Sequence, residues 1–458
     1  MDRNTLIGLL LMAAVIFGFS YLNRPSAEEL ERQRQEQLAM QEAEKQASAS
    51  TGTLTVDSIN ATEVATIINT VRELGTTDST GTRTLNVRNL HLTLAADGVL
   101  GGYVKAGDTR VAVTDMTANR WDEIKPSVAV AAVDNLRNGL RDAAKYRGFA
   151  RYLDGDSTTV ELANDKIRLE IANKGGVISR ATLRDYESYD STALTLMSPE
   201  TDSYGFTLTS STQRFDTREF YFTPVQLNDS TVEMSLDLGD GAVWALRYTL
   251  LPGSYLVKLD VLQKGMTAII PSSVATMEFA WSEKMRRNEA GRVFEQRNSG
   301  LYYMFIDGDV DNLSENSSKE KEFTDKIKWI GYKNQFFSAV MMARTNFNSA
   351  NLRSTILDDN ENFIKDLTSE MTMDYSPALA NPASFTFYLG PNLYPLMKEV
   401  STEVYPGEDM HLTKVIPLGW SIFRWINTLI VIPVFTFLGK YITNYGIIIL
   451  LLTIFIKL

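Results

Sequence analysis

Lys457 is the residue whose position in the sequence could carry chemistry. It follows twelve uncharged residues, 445–456, which would extend about 18 Å as a helix. An ammonium that deep in a bilayer core of about 30 Å costs roughly 2.5 to 3.5 kcal/mol against lipid, so it normally faces protein or water. This predicts a hydrophilic groove, but a lysine that reaches the membrane interface explains the spacing equally well.

Thr453 lies four residues before Lys457, hence on the same face of a helix. Its hydroxyl could extend a polar stripe along the groove. Taken alone, a threonine that bonds to the backbone of its own helix is the simpler interpretation.

A second group of polar residues recurs at helical spacing further upstream: Ser421, Arg424 and Thr428. The apolar residues between them predict an amphipathic helix that lies in the membrane interface, a depth that suits Trp420 and Trp425. The alternative is an ordinary spanning helix over residues 415–438 that is kinked at Pro433.

Other catalytic or binding patterns are absent from the sequence. The chain has no cysteine, and its two histidines, His91 and His411, are far apart. It contains no phosphate-binding glycine loop, no HExxH, no GxSxG and no acidic pair that periodicity places on a common face. We therefore expect no catalytic residue, no metal and no cofactor, and we interpret the Asp and Glu side chains as solvated surface.

The composition is that of a folded, acidic protein. The chain has 458 residues, 44% of them hydrophobic, and a net charge of -11. No concentrated basic face is visible, which argues against a nucleic-acid partner.

Two segments precede the folded region. Residues 5–22 are uncharged and long enough to cross a bilayer, and this length favours a retained anchor over a cleaved signal peptide. Residues 26–50 are polar on all sides and predict a solvated spacer. The chain closes inside an apolar run, from which we expect it to be a fragment that stops within a membrane helix.

Short alternating runs separated by Gly, Asn and Asp fill most of the remaining chain. In residues 160–183, Ile167, Leu169 and Ile171 alternate with charged residues, and a turn at 173–176 leads into a second run. Further runs follow at 232–238, 244–251, 255–262, 336–342 and 385–389. They predict an extended antiparallel sandwich. The stretch over 51–150 is too irregular to place its strands.

Several stretches resemble the YidC family of membrane protein insertases (YidC/Oxa/Alb). Asn444-Tyr445-Gly446 followed by IIILLLTIFIK is similar to the opening of the first core helix of the family, whose threonine and charged groove residue correspond to Thr453 and Lys457. Lysine replaces the arginine of many members, so a bidentate contact would be lost. LGWSIFRWI resembles the interfacial helix of the family, and LANDKIRLEIANKGGVISRATLRDY, KIKWIGYKNQFFSAVM and FTFYLGPNLYPLM resemble the periplasmic domain of Gram-negative members.

The resemblance implies a mainly β fold, with a periplasmic β-super-sandwich between an amino-terminal transmembrane helix and the start of an α-helical insertase core. Its implied domains are an anchor at 1–25, the spacer at 26–50, the sandwich at 51–410, an interfacial helix at 411–440 and the truncated core helix at 441–458.

The resemblance also implies a function without covalent chemistry, the insertion and folding of integral membrane proteins with or without the Sec translocon. Partners would be nascent or newly inserted membrane proteins, the translocon and the lipid bilayer. The protein would be a multi-pass protein of the cell inner membrane, with its amino terminus cytoplasmic and residues 23 to about 415 periplasmic. The alternative is an anchored periplasmic protein that binds or acts on carbohydrate, suggested by the sandwich and its tryptophans, although core packing explains those tryptophans more simply.

Overall fold

A computed structural model describes residues 56–210, 213–358, 360–419 and 421–457. The predicted anchor and spacer lie outside these residues, as does Trp420. The chain divides into two compact units. The smaller contains residues up to Ala65 together with Gly102–Arg137, and the larger contains Thr66–Gly101 and Asn138–Leu458.

The described residues contain eight α-helices. They are α1 (Ala61–Leu74), α2 (Val113–Thr117), α3 (Pro126–Tyr146), α4 (Arg292–Arg297), α5 (Tyr394–Glu403), α6 (Ser421–Ile426), α7 (Ile432–Gly439) and α8 (Tyr445–Lys457). A π-helical turn, Asn427–Val431, joins α6 to α7. In these parts of the chain, no helix combines the length and the apolar character needed to cross a membrane.

In the described chain, nine strands lie before residue 198. They are β1 (Thr76–Thr77), β2 (Arg83–Val87), β3 (Leu90–Leu94), β4 (Leu100–Ala106), β5 (Thr109–Ala112), β6 (Thr159–Ala163), β7 (Ile167–Ala172), β8 (Val177–Glu187) and β9 (Ala193–Met197). Strands β6 to β9 form a four-stranded antiparallel sheet in sequence order.

Fifteen further strands complete the fold. They are β10 (Asp202–Thr209), β11 (Arg214–Asp216), β12 (Thr223–Asn228), β13 (Thr231–Gly239), β14 (Ala242–Leu250), β15 (Leu256–Lys264), β16 (Thr276–Arg286), β17 (Gly300–Phe305), β18 (Val310–Asn312), β19 (Lys319–Phe323), β20 (Ile327–Lys333), β21 (Phe337–Phe347), β22 (Ser349–Ile356), β23 (Phe363–Asp374) and β24 (Ala383–Pro391).

Two large antiparallel sheets form the sandwich of the larger unit. One has nine strands in the order β12-β13-β14-β15-β24-β21-β20-β17-β18, and the other has six in the order β11-β10-β16-β23-β22-β19. Phe206 of the six-stranded sheet packs against Phe385 and Trp244 of the nine-stranded sheet, with ring centroids 5.8 and 6.1 Å apart. The facing sheets therefore share an aromatic core, as expected when the apolar face of each sheet must be buried.

The mainly β fold with sandwich sheets is confirmed. The run at 160–183 forms the hairpin β7–β8, whose turn carries Gly175 and Gly176 at positive φ. The five later runs lie in β13, β14, β15, β21 and β24. Of the four tryptophans considered, Trp244, Trp281 and Trp329 are fully buried, as the packing interpretation predicts, whereas Trp121 is only partly buried. The 21-residue helix α3 is an addition that the irregular pattern over 51–150 did not reveal.

Candidate functional site

The segment after α5 fixes the point at which the carboxy-terminal helices leave the sandwich. The Trp329 indole on β20 donates to the carbonyl of Met410 at 2.7 Å, and the Tyr405 hydroxyl donates to the carbonyl of Met342 at 2.9 Å. Both bonds are buried, so the chain from Tyr405 to Met410 is held firmly on the nine-stranded sheet.

Helix α8 begins where the family-like motif places it. The side-chain oxygen of Asn444 accepts from the backbone N–H of Gly446 at 2.9 Å and from that of Ile447 at 3.4 Å. These bonds satisfy two N–H groups that the first helical turn leaves free, so Asn444 is the N-cap of α8.

Thr453 and Lys457 both lie on α8, one helical turn apart, and Lys457 is its last residue. The Thr453 hydroxyl is exposed and donates to the carbonyl of Ile449 at 2.7 Å. The simpler interpretation of Thr453, a bond to its own helix, is therefore the one that the structure shows.

Large apolar side chains cover most of α8. Ile448 and Leu452 are buried, being 0% and 9% exposed. The others are exposed: Tyr445, Ile447, Ile449, Leu450, Leu451, Ile454, Phe455 and Ile456. An apolar surface of this extent requires an apolar environment or a partner.

Arg424 and Trp425 lie next to each other on α6, and both are exposed. The hydroxyl of Thr428 donates to the carbonyl of Arg424. The π-helical turn that follows ends just before Pro433, whose missing N–H weakens the helical ladder at this point. The Phe435 and Tyr445 rings stack with centroids 5.9 Å apart and thereby join α7 to α8.

The structure also brings together two acids, Asp202 and Glu283, that were interpreted as solvated surface. They lie directly opposite each other on the paired strands β10 and β16. Glu283 is 8% exposed, and the Oδ1 atom of Asp202 is buried without a hydrogen-bond partner. The interpretation was therefore wrong for this pair.

Burial controls the protonation of both acids. It raises the pKa of Asp202 to about 7, against the hydrogen bonds that its carboxylate accepts from Ser198 and Thr201. Burial also raises the pKa of Glu283 well above its ordinary value, and the nearby charge of Asp202 raises it further. Two adjacent buried carboxylates repel each other when both are ionised. Near neutral pH, a substantial fraction of the molecules therefore keeps a proton on the pair.

The sequence does contain a signal for this pair. Glu283 is in phase with Phe279, Trp281 and Met285 along β16, and Asp202 is in phase with Tyr204 along β10. The side chains of a strand alternate between its faces, so both acids fall on the apolar face of their strand. Their juxtaposition depends on the pairing of β10 with β16, which the sequence does not specify.

Comparison with known proteins gives a consistent family match. A family model described as the YidC periplasmic domain matches residues 159–433. A curated membrane protein insertase YidC from Parabacteroides distasonis is 32% identical over 463 residues, covering 100% of this chain and 62% of the relative. A YidC from Porphyromonas gingivalis is 30% identical, with the same two coverages. The chain thus spans 62% of the length of these curated relatives.

Solved structures give only distant similarities. A galactose mutarotase related enzyme from Lactobacillus acidophilus is 10% identical, with a TM-score of 0.34 over 51% of this chain and 97% of that one. A putative aldose 1-epimerase from Escherichia coli K12 is 8% identical, with a TM-score of 0.32 over 51% of this chain and 99% of that one. Similarities at this level carry no argument about function.

Proposed function

The chain belongs to the YidC family, and on this premise we propose that it acts in the insertion and folding of integral membrane proteins. The observation that carries the proposal is the exposed apolar surface of α6, α7 and α8, which follows directly after the folded sandwich. Such a surface suits contact with lipid and with the hydrophobic segments of a substrate protein. No step of this function requires covalent chemistry.

Lys457 is proposed to keep a water-filled depression in the inner leaflet, with Thr453 on the same helical face. A fixed positive charge at that depth would hold water near it, because leaving it against lipid costs several kcal/mol. The water would lower the cost of moving the polar flank of a substrate into the membrane.

We assign the exposed Arg424 and Trp425 to an interfacial position, with Trp420 beside them in the sequence. An indole suits the boundary between headgroups and acyl chains, and an arginine can reach the phosphates from there. The residues of the sandwich would be periplasmic, with the amino terminus cytoplasmic. We propose the bilayer, the Sec translocon and newly inserted membrane proteins as the partners.

The role of the charge is tested in cells depleted of their own insertase, using the complete gene that carries this sequence. We expect Lys457→Arg to support growth and substrate insertion, whereas Lys457→Glu fails. Lys440→Glu, the same change in the exposed turn after α7, is the matched control and should remain active. Equal activity of Lys457→Glu and Lys457→Arg would reject a role for the positive charge.

The interfacial position is tested with single cysteines, since the natural chain has none. An environment-sensitive fluorophore on Trp425→Cys should shift to shorter wavelength in lipid vesicles, whereas the same label on Asp229→Cys, in the exposed turn between β12 and β13, should not. An unshifted label at position 425 would contradict the assignment.

A further inference from the structure

A cavity at one end of the sandwich lies outside the proposed insertase surface. It has a volume of about 420 Å³ and is bordered by the turn before β10, by β16 and by the start of β21. Volumes of this size are typical of sites for small molecules. Asp202 and Glu283 both line it.

The hydrogen-bonding capacity of these two acids is only partly used. One oxygen of Asp202 accepts from the backbone N–H of Ser198 at 2.9 Å and from the hydroxyl of Thr201 at 2.7 Å. The other oxygen, Oδ1, has no partner and is shielded from solvent, so a ligand in the cavity does not reach it. Glu283 is 8% exposed as a residue, and none of the residues that the structure describes bonds to its carboxyl or pairs with it.

An unpartnered acid pair of this kind is costly to the fold. A buried polar group without a hydrogen bond costs about 1 to 3 kcal/mol, and a buried charge costs more. A packing role would be better served by apolar side chains of the same volume. A ligand that donates a hydrogen bond to the Glu283 carboxyl would recover part of this cost.

The charges around the cavity restrict the ligand. Four cationic residues line it, and so do four acidic ones: Arg180, Lys284, Arg286 and Arg287, and Asp190, Glu200, Asp202 and Glu283. The cations disfavour a positively charged ligand, and the acid pair disfavours an anion. Two carboxyl groups also fall short of the ligand set that a metal ion requires, and no group of three or more suitable side chains occurs among the described residues.

The remaining walls suit a ligand with both polar and apolar faces. Tyr189, at the mouth, is 47% exposed, and the Arg287 guanidinium lies 4.4 Å from the centre of its ring. The Phe337 and Phe363 side chains also line the cavity. Guanidinium groups can donate to ligand oxygens, carboxylates can accept from ligand hydroxyls, and rings can cover C–H faces.

From this combination we infer that the cavity binds a neutral, hydroxyl-rich molecule of the size of a mono- or disaccharide, with Glu283 accepting hydrogen bonds from its hydroxyl groups. The inference does not depend on the proposed insertase activity. It assigns binding to this site and no chemical reaction.

The test uses the full 458-residue chain in a dimethylamine oxide detergent, because detergents with sugar headgroups would compete. Glucose, galactose and maltose are titrated by calorimetry and by saturation-transfer NMR, with putrescine as the cationic comparison and citrate as the anionic one. We expect saturable binding of at least one neutral sugar with a Kd in the millimolar range or tighter. We expect no saturable binding of putrescine or citrate.

Two variants locate the site. Glu283→Met keeps the length of the side chain but removes its acceptors and should weaken sugar binding at least tenfold. Tyr189→Ala changes an exposed side chain at the mouth of the cavity, so we expect the variant to fold normally. Its sugar binding should weaken about fivefold. Glu278→Gln, on the same strand but outside the cavity, is the matched control and should stay within twofold.

Three outcomes would overturn the inference. They are the absence of saturable sugar binding by a chain with an intact thermal transition, sugar binding that both variants leave unchanged, and binding confined to putrescine or to citrate.

Discussion

The hydroxyl of Tyr204 lies 3.0 Å from the hydroxyl of Tyr248, and this hydrogen bond joins the two large sheets of the sandwich. Tyr248 donates to the carbonyl of Gly176 at 2.9 Å, so its single proton is already used. Tyr204 must therefore donate to Tyr248, while its oxygen accepts from the N–H of Ile178 at 2.6 Å. The four groups form one directed chain of hydrogen bonds inside the core.

Tyr248→Phe should destabilise the protein by about 1 to 3 kcal/mol, because both the Gly176 carbonyl and the Tyr204 hydroxyl lose their partner in a buried site. The measurement is the free energy of unfolding from urea titration followed by circular dichroism. Tyr441→Phe, at an exposed ring, is the control and should have little effect.

The same series of hydrogen bonds predicts how the Tyr204 and Tyr248 substitutions combine in a double variant. Tyr204→Phe leaves Tyr248 with its acceptor but deprives the Ile178 N–H of its partner. In Tyr204→Phe/Tyr248→Phe the loss should be smaller than the sum of the single losses by about 1 kcal/mol, since the shared bond is counted twice in the sum. Strict additivity would show that the two hydroxyls do not interact.

The sandwich strands were predictable because their side chains alternate. Ile167, Leu169 and Ile171 are fully buried in β7, as their spacing requires. Helix α3 was not predicted, although Pro126 lies at its start and Ala129, Val133 and Leu136 recur at helical spacing. The helix is amphipathic, but its buried side chains are mostly small, so few large apolar residues mark the pattern in the sequence.

The candidate site was predictable only in its local parts. Asn444 and Gly446 marked the beginning of α8 because capping is a short-range interaction. Asp202 and Glu283 come together only because β10 pairs with β16, and these strands lie far apart in the sequence. Periodicity can assign each acid to the buried face of its own strand, but it does not determine which strands become neighbours.

The free energy of unfolding of Asp202→Asn, relative to that of the natural chain, should increase as the pH rises from 5 to 8. The folded protein holds a proton on Asp202 up to a pKa of about 7, whereas the unfolded chain releases it near pH 4. The natural chain therefore loses stability as the pH rises through this window, by about 1 to 2 kcal/mol. The asparagine does not titrate, and it also removes the charge that faces Glu283.

The relevant measurement is the difference in free energy of unfolding between Asp202→Asn and the natural chain at pH 5, 6, 7 and 8. Groups that titrate in the same way in both chains cancel in this difference. Asp229→Asn, at an exposed turn, supplies the control and should give a flat difference. A flat difference for Asp202→Asn would show that burial does not perturb this carboxyl.

Lys365→Met should remove a rise in stability at alkaline pH. Lys365 is fully buried on β23 and donates to the carbonyls of Ser299 and Glu315 at 2.6 and 3.0 Å. Burial, and then the charge of Lys333, lowers its pKa to about 8, against the attraction of Glu315. The unfolded chain keeps its proton to about pH 10.4, so stability should rise from pH 7.5 to 9.5 by about 1 to 2 kcal/mol.

The measurement compares the free energy of unfolding of Lys365→Met and of the natural chain at both pH values. The two lost hydrogen bonds add a constant cost, so only the change with pH reports on the ammonium. Lys258→Met, at an exposed position of β15, should behave like the natural chain. An identical pH dependence in Lys365→Met would mean that the buried lysine remains charged throughout this range.

Gly139→Ala should destabilise the protein by about 1 to 3 kcal/mol, although the same change at an exposed helical position stabilises by up to about 1 kcal/mol. An ideal Cβ at position 139 would lie 2.4 Å from Cδ1 and 2.5 Å from Cγ of Leu90, a buried side chain of β3.

Asn138→Ala, on the exposed face of the same helix, is the control and should change stability by less than about 0.5 kcal/mol. Adding Leu90→Ala to Gly139→Ala should cost less than the two single losses together, because the shorter side chain makes room for the methyl group. Thermal and urea unfolding of the natural chain, the three single variants and the double variant measure these differences. Additive losses would show that Gly139 is not needed to make room for Leu90.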